Sequence, residues 1–531
     1  MGIYQPAPEV DEVAAVRGAG AKISETGEVI VEEEAEEDED EEVTEKKTVS
    51  AGSKKSSAES TTLSVSQLHV LKDPETVRWA IEGLAYLSLN AEVKEEIVGD
   101  PEFVCLLFHV AALDLKESAF PLASVLAQLT NSFPKNQIEP EMLELAKFSK
   151  QHIPEEHPLD SATHVTERRR RLVNAGLSVT LYNLTMRLAA GPVGGQHGLR
   201  ELIARIAEEI PNRGKLIQAG AGKALLDLTL KSNTDTGKLF AAQSLARLTI
   251  TADPRVSFPG QRSLELVRPL LKLLAIDCDG LQNFEGLLAL TNLASLDNLH
   301  RHRIMAERGV PSIDHYLFED HPMLRRAAAE CVANMAQYHP FVVACGGQLP
   351  VDDTDLGAKL PFLSSSTERV KLLVLYCCEF EDLFLVRASI GALATMSYDP
   401  GVIKLITKAS SWFETIQTLA GHDACCLQHR AAHLLRNMAL YGEQSLCEYF
   451  CRSNMLEVIL SLSQLPDISP SEPLPTDTVS LHPGVPEEQL RQITQTDRKK
   501  TRDCALEALR KLQEYGLVER LGTDGSGREK A

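Results

Sequence analysis

The feature that most constrains this chain is a helical segment that recurs. Six stretches share one shape, a dense apolar helix with small residues at its centre. They are KLFAAQSLARLTI (238–250), NFEGLLALTNLAS (283–295), LRRAAAECVANMA (324–336), LVRASIGALATMS (385–397), QHRAAHLLRNMAL (428–440) and TRDCALEALRKLQ (501–513). Aligned on the residue before the final apolar position, they place Arg247, Asn292, Asn334, Thr395, Asn437 and Lys511 in register, at steps of 45, 42, 61, 42 and 74 residues. Each long step holds an insertion, a Gly/Pro/Asp segment at 345–366 and a proline-rich segment at 466–499. Removing about 20 and about 30 residues brings both steps back to the common period.

A period of about 40–47 residues belongs to helical repeats of the armadillo and HEAT type. The expected fold is therefore all-α, an armadillo-repeat superhelical solenoid over residues 63–520. A chain of 531 residues is too long for one compact core, and a solenoid escapes that limit because each unit packs only on its neighbours. Ala327, Ala328, Ala329, Gly391 and Ala392 at helix centres let neighbouring helices approach, while Leu and Met fill the space between repeats. Stretches at 76–89, 119–131 and 199–210 fit the scheme less cleanly. Helix breaks are expected at Asp73-Pro74, Phe133-Pro134, Ile210-Pro211 and Asp399-Pro400.

Charge divides the chain. Residues 1–62 carry 17 acidic and 6 basic side chains, which accounts for −11 of the formal −21. This stretch reads as a disordered acidic leader, too poor in apolar residues to offset the entropy of ordering. Residues 521–531 read as a disordered tail. The remainder is mildly acidic, which argues against nucleic acid, whose phosphates demand a basic face. No apolar run is long enough to span a bilayer and no secretory signal is visible, so no membrane partner and a cytoplasmic location are expected. The eleven cysteines show no framework spacing and read as reduced core thiols.

The strongest candidate site is the register itself. In an armadillo stack the third helix of each repeat lines the inner surface. One amide per repeat there can donate to and accept from an extended peptide backbone. Asn292, Asn334 and Asn437, with Arg247, Thr395 and Lys511, form the expected client-binding groove, and Asn283, Gln282, Glu285 and Arg436 lie nearby. The alternative role for each Asn is to tie down its own or a neighbouring helix end. Arg168–Arg171 reads as a solvated helix start. Cys425, Cys426, His429 and His433 invite a metal reading, since i, i+4 spacing puts 425, 429 and 433 along one helical face, but no fourth ligand is paired with them, so no metal is expected. Gly220-Ala221-Gly222-Lys223 lacks the glycine and the hydroxyl of a phosphate loop. No catalytic motif and no cofactor site is read, and the chain is expected not to be an enzyme.

Several stretches resemble the UCS family of myosin-directed chaperones. They are DPETVRWAIEGLAYLSLNAEVKEEIV (73–98), LAKFSKQHIPEEHPLD (145–160), NRGKLIQAGAGKALLDL (212–228), SFPGQRSLELVRPLLKLL (257–274), the long run 281–336, VKLLVLYC (370–377) and LEALRKLQEYGLVE (506–519). The resemblance implies a folding helper for the myosin motor head that holds its client in an armadillo groove, with a place at the contractile apparatus. It also implies that the polar break Gln151–Thr166 is a mobile loop near the groove; an ordinary connector is the other reading. Animal members carry a tetratricopeptide domain that grips the ninety-kilodalton heat-shock chaperone. Residues 1–62 lack that pattern, which puts direct docking of this partner in doubt. The alternative function is a generic armadillo adaptor of scaffold or transport type. Import-type grooves pair Asn with Trp, and the only tryptophans, Trp79 and Trp412, lie outside the Asn-bearing helices.

Overall fold

In the computed structural model, residues 73–112, 118–131, 157–188, 206–231, 235–348, 366–469 and 473–518 are described, with a few isolated positions besides. The expected acidic leader, residues 151–156 of the polar break, residues 349–365 of the first insertion and the Phe133-Pro134 break lie outside the described residues.

All six recurring segments are helices, labelled α1 to α6 in chain order: α1 Asp235–Thr251, α2 Gly280–Leu296, α3 Pro322–Met335, α4 Leu383–Met396, α5 Cys425–Tyr441 and α6 Glu487–Glu514. Each packs on the next, so the six form one continuous wall. Two shorter helices follow α2 (Asn298–Ala306, Gly309–Leu317), α4 (Pro400–Thr407, Trp412–Ala420) and α5 (Gln444–Arg452, Met455–Ser463). After α3, the helices His339–Ala344 and Glu368–Tyr376 flank the first insertion. One repeat is thus three helices, and the chain crosses to the next repeat where a new wall helix begins.

Local sequence sets these boundaries. Asp279 and Gln282 form a reciprocal capping box at the start of α2. Asp297, Asp382 and Asp399 each accept backbone N–H groups at the start of the next helix, and Pro322 and Pro400 open theirs. The breaks expected at Asp73-Pro74, Ile210-Pro211 and Asp399-Pro400 all fall at helix starts. Small residues then set the spacing. Ala328 and Ala329 are fully buried in α3. A Cβ on Gly286 of α2 would stand 3.0 Å from the Leu273 Cβ, so the helix Val267–Lys272 and the turn after it approach α2 only because no side chain is there. Gly222, within the glycine-lysine run, has the same cause: a Cβ there would meet the Phe258 ring at 2.7 Å.

None of the eleven cysteines is joined in a disulfide. Burial pushes the Cys331 and Cys345 thiols up to about 12, which keeps them protonated packing groups. No helix among the described residues is long and apolar enough to cross a membrane.

The structure departs from expectation in three places. First, α6 starts at Glu487 and runs for 28 residues, so the second insertion ends well before Lys499. Second, the expected tail contains a two-residue antiparallel pairing, Gly522–Thr523 with Glu529–Lys530. Third, only Arg170 and Arg171 of the arginine run are solvated, whereas Arg168 is fully buried and Arg169 nearly so. The Arg168 guanidinium donates to the Leu129 carbonyl (3.2 Å), the Leu159 carbonyl (2.7 Å), Glu95 (3.1 Å) and Asp160 (2.6 Å). Lys94 Nζ reaches the same Asp160 at 2.8 Å. This network joins the helices Ala91–Gly99, Ala119–Thr130 and Ala162–Asn174, where apolar packing alone would leave the end of the middle helix without partners.

Removing one partner of a buried ion pair leaves its charge uncompensated. Arg168→Ala is therefore expected to destabilise this end of the solenoid by about 3–5 kcal/mol, read as a lowered thermal midpoint. Arg170→Ala, which loses only the exposed pair with Glu167, should leave the midpoint unchanged.

Candidate protein-binding wall

The aligned asparagines have one shared geometry. Asn292 Nδ2 donates to the Thr249 carbonyl at 3.1 Å, Asn334 Nδ2 to the Thr291 carbonyl at 2.9 Å, and Asn437 Nδ2 to the Ala394 carbonyl at 3.0 Å. In every case the acceptor lies 43 residues earlier, on the preceding wall helix. Thr249 and Ala394 stand in the last turn of α1 and α4, where carbonyls have no partner within their own helix. The asparagine row is thus a set of staples between repeats.

The interfaces that lack an asparagine are tied by charge instead. Between α3 and α4, where Thr395 occupies the register, Arg326 pairs with Asp382 at 2.9 Å and Arg387 with Glu330 at 3.4 Å. Thr395 itself donates to the Gly391 carbonyl of its own helix at 2.8 Å. Between α5 and α6, where Lys511 occupies it, Arg436 pairs with Glu507. His429 faces Asp497 of α6 at 3.7 Å and stacks on His433, which gives this end of α5 its contact with α6. Lys511 pairs with Glu514 at 2.8 Å, along its own helix. Between α1 and α2 both devices are present, because Arg247 also meets Glu285 at 2.9 Å and Gln243 donates to the same carboxylate at 2.8 Å.

These bonds decide what the wall can offer. Asn437 is 3% exposed, its Nδ2 also reaches the Ser397 hydroxyl, and its Oδ1 accepts from Arg436. Its amide is therefore not presented to a partner. Asn283 is also buried, donating to the Leu273 and Ala275 carbonyls, where it closes the end of a neighbouring helix. Arg247 is buried in its ion pair, and Gln282 is occupied in the capping box and with Gln243. Asn292 and Asn334 are half-buried and remain at the surface.

An apolar row accompanies them. Eleven residues before the register position, three turns earlier on the same helical face, stand Leu281, Met323 and Phe384. Leu281 is 55% and Met323 48% exposed, whereas Phe384 is half-buried beneath the guanidinium groups of Arg326 (4.8 Å) and Arg387 (5.2 Å). Burial pushes the Glu330 carboxyl above its usual range, against the pull of Arg387 and Arg326. Sequence reasoning missed Arg326, Arg387 and the apolar row. The signal was present, since both arginines stand eight residues before the register position of their helices.

If the asparagines are staples, removing one costs stability. Asn334→Ala should destabilise the chain by about 0.5–1.5 kcal/mol, and buried Asn437→Ala by about 1–3 kcal/mol because the Ser397 hydroxyl loses its donor, the Ala394 carbonyl one of two and Arg436 an acceptor. Urea melts followed by circular dichroism read both. Unchanged melts would remove the staple role.

No protein-family model matches the chain. It is 37% identical to Protein unc-45 homolog B of Danio rerio over 401 residues, 74% of this chain and 40% of that protein. Among solved structures, UNC-45 from Drosophila melanogaster superposes with a TM-score of 0.66 at 33% identity, covering 84% of this chain and 50% of that one. The myosin chaperone UNC-45 from C. elegans, in complex with a Hsp90 peptide, gives 0.63 at 29% identity, covering 82% and 43%. The chain therefore spans about two fifths to half of the length of these relatives. Over the part of their length that it spans, the chain is a homologue of the UNC-45 proteins.

Proposed function

We propose that the chain is a molecular chaperone that holds segments of the myosin motor domain against its helical wall and performs no reaction of its own. The observation that carries this reading is the row of open apolar side chains, Leu281 and Met323, on a wall shared with a myosin chaperone. A partly folded motor domain exposes apolar segments with unpaired backbone groups. The row gives the side chains of such a segment a place to lie, and the half-buried asparagines and the arginines beside it give its backbone polar neighbours. Binding of this kind depends little on sequence and shields surface that would otherwise aggregate. The cytoplasm is the proposed location, with the contractile apparatus as the place of use. A ninety-kilodalton heat-shock chaperone is proposed as a second partner, on the strength of the C. elegans complex.

Because the asparagine amides hold the repeats together, the wall is better tested at Leu281 and Met323. The purified chain should suppress heat-induced light scattering by a myosin motor fragment. Leu281→Glu with Met323→Glu should weaken binding of that fragment roughly tenfold to a hundredfold, since covering the exposed half of each side chain is worth about 0.8–1.5 kcal/mol. Both side chains are exposed, so the melt should not move. Full protection by the double variant would take the wall out of the mechanism, and no protection by the parent chain would end the chaperone reading.

A further inference from the structure

The second insertion folds back onto the protein. Residues 473–486 form a strap with one short helix, Thr476–Ser480, followed by Leu481. Leu481 is 1% exposed and belongs to the same apolar core as the residues of α4 and α5. Its carbonyl accepts from Arg387 Nη1 at 2.9 Å. Arg387 is the α4 counterpart of Arg326 in register and covers Phe384, the last member of the apolar row. On the other side of the strap, Asp477 faces His422, just ahead of α5, at 3.8 Å. His482 Nδ1–H donates to the Thr478 carbonyl at 2.9 Å. Burial, with the nearby cations Arg387 and Arg430, holds this imidazole below its ordinary range and so neutral when docked.

The wall thus receives from its own chain one buried apolar side chain and one main-chain carbonyl. A bound segment of another polypeptide would present the same two features. Over α2 and α3 the row is open at Leu281 and Met323; at α4 it runs into the strap. The docking is also imperfect. The Thr478 hydroxyl is buried without a hydrogen-bond partner, a group that weakens the contact and favours release. Prolines at 473, 475, 483 and 486 restrict the strap's backbone on both sides of the contact, so little entropy is spent when it redocks.

We propose that residues 473–486 are a built-in occupant of the wall at α4 and α5, which a client segment lying on α2 and α3 must displace to extend its contact. This rests on the chaperone reading above and assigns that site its regulation. The strap lowers apparent client affinity by the fraction of molecules in which it is docked, so a strap docked nine times in ten masks about tenfold in affinity.

The test uses the full chain and two strap variants that leave the wall intact. Leu481→Lys places a cation against Arg387, and Thr478→Arg forces a long side chain into a buried position. Each is used if its circular dichroism and the cooperativity of its melt match the parent's, the midpoint falling only by the lost strap contact. Hydrogen exchange across 474–482 should rise in the variant, and a myosin motor fragment should bind it roughly tenfold tighter by fluorescence anisotropy. A labelled synthetic peptide of residues 473–486 should bind the variant, not the parent, and the motor fragment should displace it. If the motor fragment binds parent and variant equally and leaves the peptide in place, the strap proposal is overturned while the chaperone reading stands. If the motor fragment binds neither chain, both are overturned.

Discussion

Everything in this structure depends on how one repeat is registered on the next. Burial of Leu, Ala and Met between successive wall helices supplies most of the cohesion, but apolar contact is not directional and would tolerate sliding or rotation. The directional element is a side-chain amide given to a carbonyl 43 residues earlier, repeated at Asn292, Asn334 and Asn437. Where the amide is missing, an ion pair between the same two helices takes its place, as at Arg326–Asp382 and Arg436–Glu507. The solenoid is a one-dimensional stack in which every interface between wall helices carries its own polar lock.

That constraint explains the partition of the wall. Residues nearest the neighbouring helix are consumed in holding the stack together, and Asn437, Asn283 and Arg247 belong to this group. Residues further along the same helical face have no such duty. Leu281 and Met323 are exposed there although apolar, and they are the positions that the proposed function assigns to a client. The strap brings a buried apolar residue, Leu481, to the same stretch of wall, where its carbonyl accepts from Arg387. The apolar row and the staples thus fall on different positions of one helix.

Much of this was legible in the sequence. The period, the two insertions and the aspartates and prolines that open helices all follow from local rules, because capping and φ restriction act within a few residues. The position of the asparagine row was equally plain. Its direction was not, since Asn can donate to a neighbouring helix or to a ligand with the same pattern of spacing, and only the 43-residue partner separates the two. Arg168 was misread for a related reason: an arginine run looks solvated unless the carboxylate and carbonyls that bury it, Asp160 and Leu129 among them, are known to converge. The strap was invisible because prolines announce a break in helix and say nothing of where the broken segment lies.

The most direct measurement is hydrogen exchange of the full chain with and without a saturating myosin motor fragment. Slowed exchange should appear in the first turns of α2 and α3, around Leu281 and Met323, and in parallel faster exchange across 474–482 as the strap leaves. Protection confined to the helices Gln444–Arg452 and Met455–Ser463, with no change in α2 and α3, would contradict the account.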